Sequence, residues 1–235
     1  YAIEALGKFG GKRATDVLIK TLSDEHLDTR ASAARALGKI GDARAVEPLI
    51  KELGNESSRV RRIAKEALEK LQDKIGDACM VEPLIEALEG ENKHGIGAIA
   101  AMLGEIGDVR AVESLIKVLD DTDSNNREAA VDALREIGDA RAVKPLIGVL
   151  GDELGKTMCS HGLGDTRHQY ETDWGVIEAT VKALGVIGDE RAVGLLIKTL
   201  EDERLCAPYG VTMATTPAER GAQYDHYKAE GYVFD

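Results

Sequence analysis

The sequence predicts an all-α protein: a right-handed α-solenoid of about six helix pairs, followed by a C-terminal tail that leaves the repeat. Three observations predict it. One phrase recurs along the chain, as "GDARAVEPLI" at Gly41, "GDACMVEPLI" at Gly76, "GDVRAVESLI" at Gly107, "GDARAVKPLI" at Gly138 and "GDERAVGLLI" at Gly188, with a worn copy, "GGKRATDVLI", at Gly10. The spacings are 31, 35, 31, 31 and 50 residues, the range in which stacked supersecondary units recur. Within each copy the apolar residues fall at helical rather than strand spacing.

Each unit reads as two helices. The first, as in "RAVEPLIKEL", lines up Ala45, Val46, Leu49, Ile50 and Leu53 as one helical stripe. The second, "TRASAARALGKI", places Ala33, Ala34, Leu37 and Ile40 on one face. Gly41 is expected to stop this helix in the left-handed conformation that glycine adopts cheaply. Asp42 is expected to cap the next one, accepting its orphan N–H groups. Pro48, Pro83 and Pro145 fall inside the first helix and are expected to kink it, since each removes a backbone hydrogen bond. Ser114 and Leu195 fill the same slot, so a kink is tolerated rather than required.

Two spacings depart from the period. The 35-residue step adds four residues near "EKLQDKIGD", about one helical turn, so the second helix there should run longer. The 50-residue step adds 19 residues, which are expected between the two helices of the fifth unit. The resulting organisation is a repeat region over 1–204, with an insertion at 154–174, and a non-repeat tail over 205–235. Tyr1 opens in mid-repeat, as a fragment of a longer array would.

Composition narrows the function classes. The chain has 235 residues, 43% of them hydrophobic and 31% charged, and a net charge of −12. That balance suits a folded protein and disfavours nucleic acid or an anionic membrane as partner. Aromatics make up 4%, leaving Ala, Leu, Ile and Val to pack closely apposed helices. Cys79, Cys159 and Cys206 are an odd number without a disulfide framework and read as free thiols in a reducing, cytoplasmic compartment. The longest apolar run, "GIGAIAAMLG" at 95–104, is too short to span a bilayer.

The phrase "GD-x-RAV-x-PLI" followed by "ALG-x-IGD" resembles the short HEAT-like repeats named after phycobilisome lyases. The resemblance covers residues 1–204 apart from the insertion. It implies an α-solenoid whose second helices line the concave face. It also implies, as an alternative function, an enzyme or enzyme accessory that attaches or removes a chromophore, although no lyase-specific motif can be matched. Related deoxyhypusine hydroxylases bind iron through His-Glu dipeptides, and this chain has none. HEAT-like DNA glycosylases use a basic concave face, against which the net charge argues.

Because the repeat describes packing, departures from it are the candidates for function. In the third unit Cys79 replaces the Arg found at positions 13, 44, 110, 141 and 191, and Ile96, flanked by Gly95 and Gly97, replaces the Arg of positions 30, 61 and 127. Glycines at a helix start would let another backbone or a ligand approach. The insertion, "LGKTMCSHGLGDTRHQYETDWG", holds Cys159, His161 and His168, a set that could ligate zinc or iron, though not at a recognised metal spacing. A polar docking loop is the reading preferred over a metal site. Trp174, the sole tryptophan, precedes Ile177, which again replaces the repeat's Arg. Trp174, Ile177 and Ile96 are expected to form an apolar contact patch. Arg30, Arg61 and Arg127, with Arg35 and Arg62, would form a basic strip suited to an acidic partner segment. The tail carries five of the nine aromatics, and "TTPAERGAQYDHYKAEG" has the capping signals of a helix with Tyr224 and Tyr227 on one face, for capping the stack or docking to a partner. The functional expectation is a non-enzymatic scaffold or accessory subunit that binds another protein.

Overall fold

The computed structural model describes residues 1–90, 95–159 and 173–201. All regular structure among them is helical, in twelve α-helices and four single 3-10 turns. The chain divides into two compact units, Tyr1–Ile137 and Gly138–Asp235. The first holds α1 (Ala2–Phe9), α2 (Lys12–Thr21), α3 (Leu27–Ile40), α4 (Val46–Leu53), α5 (Ser58–Ile75), α6 (Ala78–Glu89), α7 (Ile96–Ile106), α8 (Val112–Val118) and α9 (Ser124–Ile137). The second holds α10 (Val143–Cys159), α11 (Trp174–Ile187) and α12 (Val193–Glu201). This is the solenoid that the repeat predicts: α1 is a second helix without its mate, five pairs follow, and α12 is a first helix. No helix of the described residues is long and apolar enough to cross a membrane.

The core is the sum of the two stripes. Leu18, Leu49, Leu53, Leu84 and Leu115 of the first helices and Leu37, Leu68, Leu103 and Leu134 of the second are buried. Within the first unit α3 packs on α5 and α7 packs on α9 far more intimately than other helices pack. The repeat's "ALG" explains this. A Cβ added at Gly38 would lie 2.8 Å from the Cα and carbonyl of Ala67, and one at Gly104 would lie 2.7 Å from the Cα of Ala133. Neither could be accommodated, because the obstacle is backbone. The corresponding residue of α5 is Glu69, and α5 and α7 lack the close contact of the other pairs.

The Gly-Asp punctuation acts as expected, with one refinement. Gly41, Gly107 and Gly188 end their helices in the left-handed conformation. Asp42, Asp108, Asp139 and Asp189 each accept the backbone N–H two residues on, and so cap a 3-10 turn that precedes the α-helix proper. The expected proline kinks are corrected by that turn. Because α4 begins at Val46 and α10 at Val143, Pro48 and Pro145 lie in the first helical turn, where the missing N–H would be unpaired anyway. Pro83 differs: α6 starts directly at Ala78, without the 3-10 turn, so this proline is interior. The extra four residues at the long step do lengthen the second helix, from 14 residues in α3 to 18 in α5.

Each capping aspartate is also clamped by the arginine of its phrase. Arg44 donates from Nε and Nη2 to Asp42 at 3.1 and 2.7 Å, and from Nη1 to Asp16 of the preceding first helix at 2.5 Å. Arg110 does the same with Asp108 and, at 2.7 Å, with Glu82. The clamps of Arg44 and Arg110 therefore tie α4 to α2 and α8 to α6. Hydrogen bonds from Arg44 hold the Asp42 carboxyl down at about 2, and Arg191 holds Asp189 similarly at about 2. A carboxylate whose pKa is depressed on folding stabilises the fold above its unfolded pKa and loses that contribution as pH falls toward the folded value. Asp42→Ala should therefore cost about 1 kcal/mol near pH 7, and the difference from wild type should shrink as pH falls from about 4 toward 2. Urea melts across that range check it; a difference independent of pH would contradict the clamp.

Candidate interaction surface

The face formed by the second helices has two kinds of cation, and the structure separates them. Arg30, Arg61 and Arg127 sit at the entries of α3, α5 and α9, partly buried, and they tie loops. Arg61 donates to the carbonyls of Asn55 and Glu56 at 2.8 and 2.9 Å, and Arg127 to those of Asp121 and Thr122 at 3.0 and 3.4 Å. In the same loops the side chains of Asp24, Asn55 and Asp121 each accept the backbone N–H two residues on, an Asx turn repeated at each of these first-to-second helix connections. Arg30 instead donates to Glu52 of the next unit at 2.7 Å; the Glu52 side chain is 8% exposed and also accepts from Asn55. So these three arginines hold the repeat together and are largely occupied. Arg35, by contrast, lies exposed on α3, and Arg62 pairs only with its own helix's Glu66.

The apolar candidates separate in the same way. Ile177 is 6% exposed and belongs to the core of α11, so replacing the repeat's arginine with isoleucine there adds packing. Trp174 is half-buried at the first turn of α11. Ile96 is half-buried at the start of α7 and lies in the other compact unit. Its neighbouring glycines serve the chain's own backbone. A Cβ at Gly95 would lie 3.0 Å from the Leu53 carbonyl, and the Gly97 N–H donates to the buried Asn126 side chain at 3.1 Å. The glycine-lined approach foreseen from sequence is thus made by α4 and α9.

The first residues of the expected insertion are helical. α10 runs through the expected turn to Cys159, 17 residues against 7 in α8, before the chain leaves the described region. It returns at Asp173, which caps α11 by accepting from Val176 at 3.2 Å. The Asp173 N–H in turn donates to Glu153 at 3.2 Å, and Glu153 is 2% exposed. A buried carboxylate on α10 therefore closes the base of the insertion. Sequence reasoning missed Glu153, because nothing in a repeat marks a residue that acts only when its neighbour is displaced. The Cys159 side chain, His161, His168, Tyr224 and Tyr227 lie outside the described residues, as does the tail helix. Among the described residues no group of three His, Cys, Asp or Glu side chains could hold a metal ion.

Cys79 is a free, exposed thiol beside an open depression of about 400 Å³ lined also by Ala43, Arg44, Val46, Glu47 and Pro83. It stands where the other units place the clamping arginine. Asp77 takes a hydrogen bond from Gln72 at 2.8 Å instead.

Comparison with known families agrees with this architecture. The model of HEAT repeats matches residues 1–69 and 81–157, more than half of the chain. The chain is a HEAT-repeat protein. A second family model, the PBS lyase HEAT-like repeat, matches residues 176–202 of this HEAT-repeat protein. No curated protein matches it significantly. Among solved structures it is similar to an engineered protein, at 22% identity, covering 94% of this chain and 98% of that one with a TM-score of 0.46. It is also similar to the complex of CpcE and CpcF of phycocyanin lyase from Nostoc sp. PCC7120, at 23% identity, 97% and 87% coverage and a TM-score of 0.39. Human deoxyhypusine hydroxylase is similar at 21% identity, 97% and 78% coverage and a TM-score of 0.40.

The assignment of Arg30 to packing is testable. Arg30→Ala leaves the buried Glu52 carboxylate without its cation and should cost about 2 kcal/mol or more of stability. Adding Glu52→Leu should recover most of that loss. Chemical denaturation of the single and double variants decides it; a neutral single variant would return Arg30 to the pool of free surface cations.

Proposed function

We propose that this HEAT-repeat protein is a non-enzymatic interaction scaffold or accessory subunit, which presents its second-helix face, the insertion and the aromatic tail to a partner protein. The observation that carries this reading is how its polar groups are used. On the first-helix side, Arg44 and Arg110 of the repeat phrase are engaged in Asp–Arg–acid clamps between neighbouring repeats. On the second-helix side, Arg35, Lys39, Lys70 and Glu128 are exposed and serve no such tie. A fold that needed these residues only for stacking would be indifferent to their identity.

The insertion adds a second element. Loop closure costs grow only logarithmically with length, so 160–172 can be carried without burdening the stack. Trp174, at the point where the chain returns, is the aromatic anchor of this loop. Immobilised protein should capture a specific partner from an extract of the source organism, identified by mass spectrometry and rebound in purified form with defined stoichiometry. Trp174→Ala should weaken that rebinding by about 2 kcal/mol with helical content unchanged. Failure of any purified candidate to bind stoichiometrically would overturn the scaffold reading; undiminished binding by Trp174→Ala would remove the insertion from it.

A further inference from the structure

The residue that follows "ALG", or its equivalent, in each second helix of the first unit forms a column: Lys8 on α1, Lys39 on α3, Lys70 on α5, Glu105 on α7 and Glu136 on α9. All five are exposed. Groups beside the column link its helices. Lys39 lies close enough to lower the Glu4 carboxyl on α1, Lys74 on α5 reaches the Lys39 carbonyl, Lys65 on α5 stands 3.8 Å from Glu105, and the Glu136 carboxylate approaches Gly104 of α7. One face thus changes sign along the stack, from three lysines to two glutamates.

Helix stability does not account for the change. Cations are favoured in a last helical turn by the macrodipole, and Lys8 and Lys39 obey that rule. Glu105 and Glu136 occupy last turns of α7 and α9, where a negative charge is disfavoured, and among the described residues each has only one long ion pair, to Lys65 at 3.8 Å and to Arg135 at 3.9 Å. Nor are the three lysines matched one for one: Lys8 pairs with Glu4, Lys39 reaches the same carboxylate only at longer range, and Lys70 has no acidic partner among the described residues. Of the acids on α5, Glu66 and Glu69 pair with Arg62 and Lys65, leaving Asp73. Arg35 and Lys74 add further positive charge on the basic side, whereas on the other side Asp132 is paired with Arg135 at 3.0 Å.

Resting on the scaffold reading, we propose that this column recognises an extended partner segment of split charge, acidic in the half that crosses α1, α3 and α5 and basic in the half that crosses α7 and α9. Five helices at spacings of about 8–10 Å span roughly 35–40 Å, the length of about twelve extended residues. Exposed pairs are individually weak, so the column supplies orientation and register more than total affinity.

The test uses a fluorescent peptide of about twelve residues with glutamates in one half and lysines in the other, and a scrambled peptide of identical composition. The wild-type chain should bind the split peptide about tenfold more tightly than the scrambled one at low salt, with the preference falling as salt shortens the screening length. The variant Glu105→Lys/Glu136→Lys, which the helix dipole should not destabilise, should lose the preference and bind an all-glutamate peptide instead. The variant Lys8→Glu/Lys39→Glu/Lys70→Glu should also lose it, with its helicity checked by circular dichroism. Equal binding of split and scrambled peptides by wild type, or no binding of either, overturns the proposal. A captured protein partner that binds wild type and both variants alike would leave the scaffold reading standing while removing the column from it.

Discussion

The close approach of one second helix to the next is the constraint on which the first unit is built. Ridges of large side chains keep helices about 8–10 Å apart. Gly38 and Gly104 bring the backbones nearer by presenting no side chain to Ala67 and Ala133. Contact at that range is unforgiving, since the neighbouring atom is a Cα or carbonyl that cannot rotate away. It explains the low aromatic content and the alanine-rich second helices.

The other interactions follow from this stacking. With the second helices fixed, each first helix must be started at a defined height, and the Gly-Asp turn does so through a left-handed glycine and a capped 3-10 turn. The aspartate–arginine clamp then reaches back to the previous first helix. Where the phrase is altered, the geometry follows. Cys79 removes the clamp, the 3-10 turn disappears, and Pro83 becomes interior. The neighbouring α5 carries Glu69 in place of the stacking glycine, and its contact with α7 is correspondingly looser.

The fold was legible because a repeat states its rule several times. The helix pairs, the long α5 and the Gly-Asp punctuation could be taken from one phrase and its spacing; the 3-10 turn that delays α4, α8, α10 and α12 could not. Less legible were side chains whose role in the fold depends on a partner far away in sequence. Arg30, Arg61 and Arg127 look like a basic strip when counted along helices, yet their reach is to Glu52 and to loop carbonyls. Ile177 looks like a lost surface arginine, and is core. Gly95 looked open to a ligand and is filled by the end of α4. The sign change from Lys70 to Glu105 was present in the sequence throughout. It is recognised only once the helices are known to be adjacent and the helix dipole is known to oppose it.

The central claim is that stacking distance is set by glycine at a few positions and not at others. Comparing the stabilities of Gly104→Ala and Gly148→Ala by chemical denaturation tests it most directly, because both glycines are helical and intrinsic propensity favours alanine at each by about 1 kcal/mol. At Gly148 an added Cβ meets nothing within 4 Å, and stability should rise. At Gly104 it meets the Ala133 backbone, and stability should fall by about 2 kcal/mol. A Gly104→Ala variant as stable as wild type, or more so, would contradict the account.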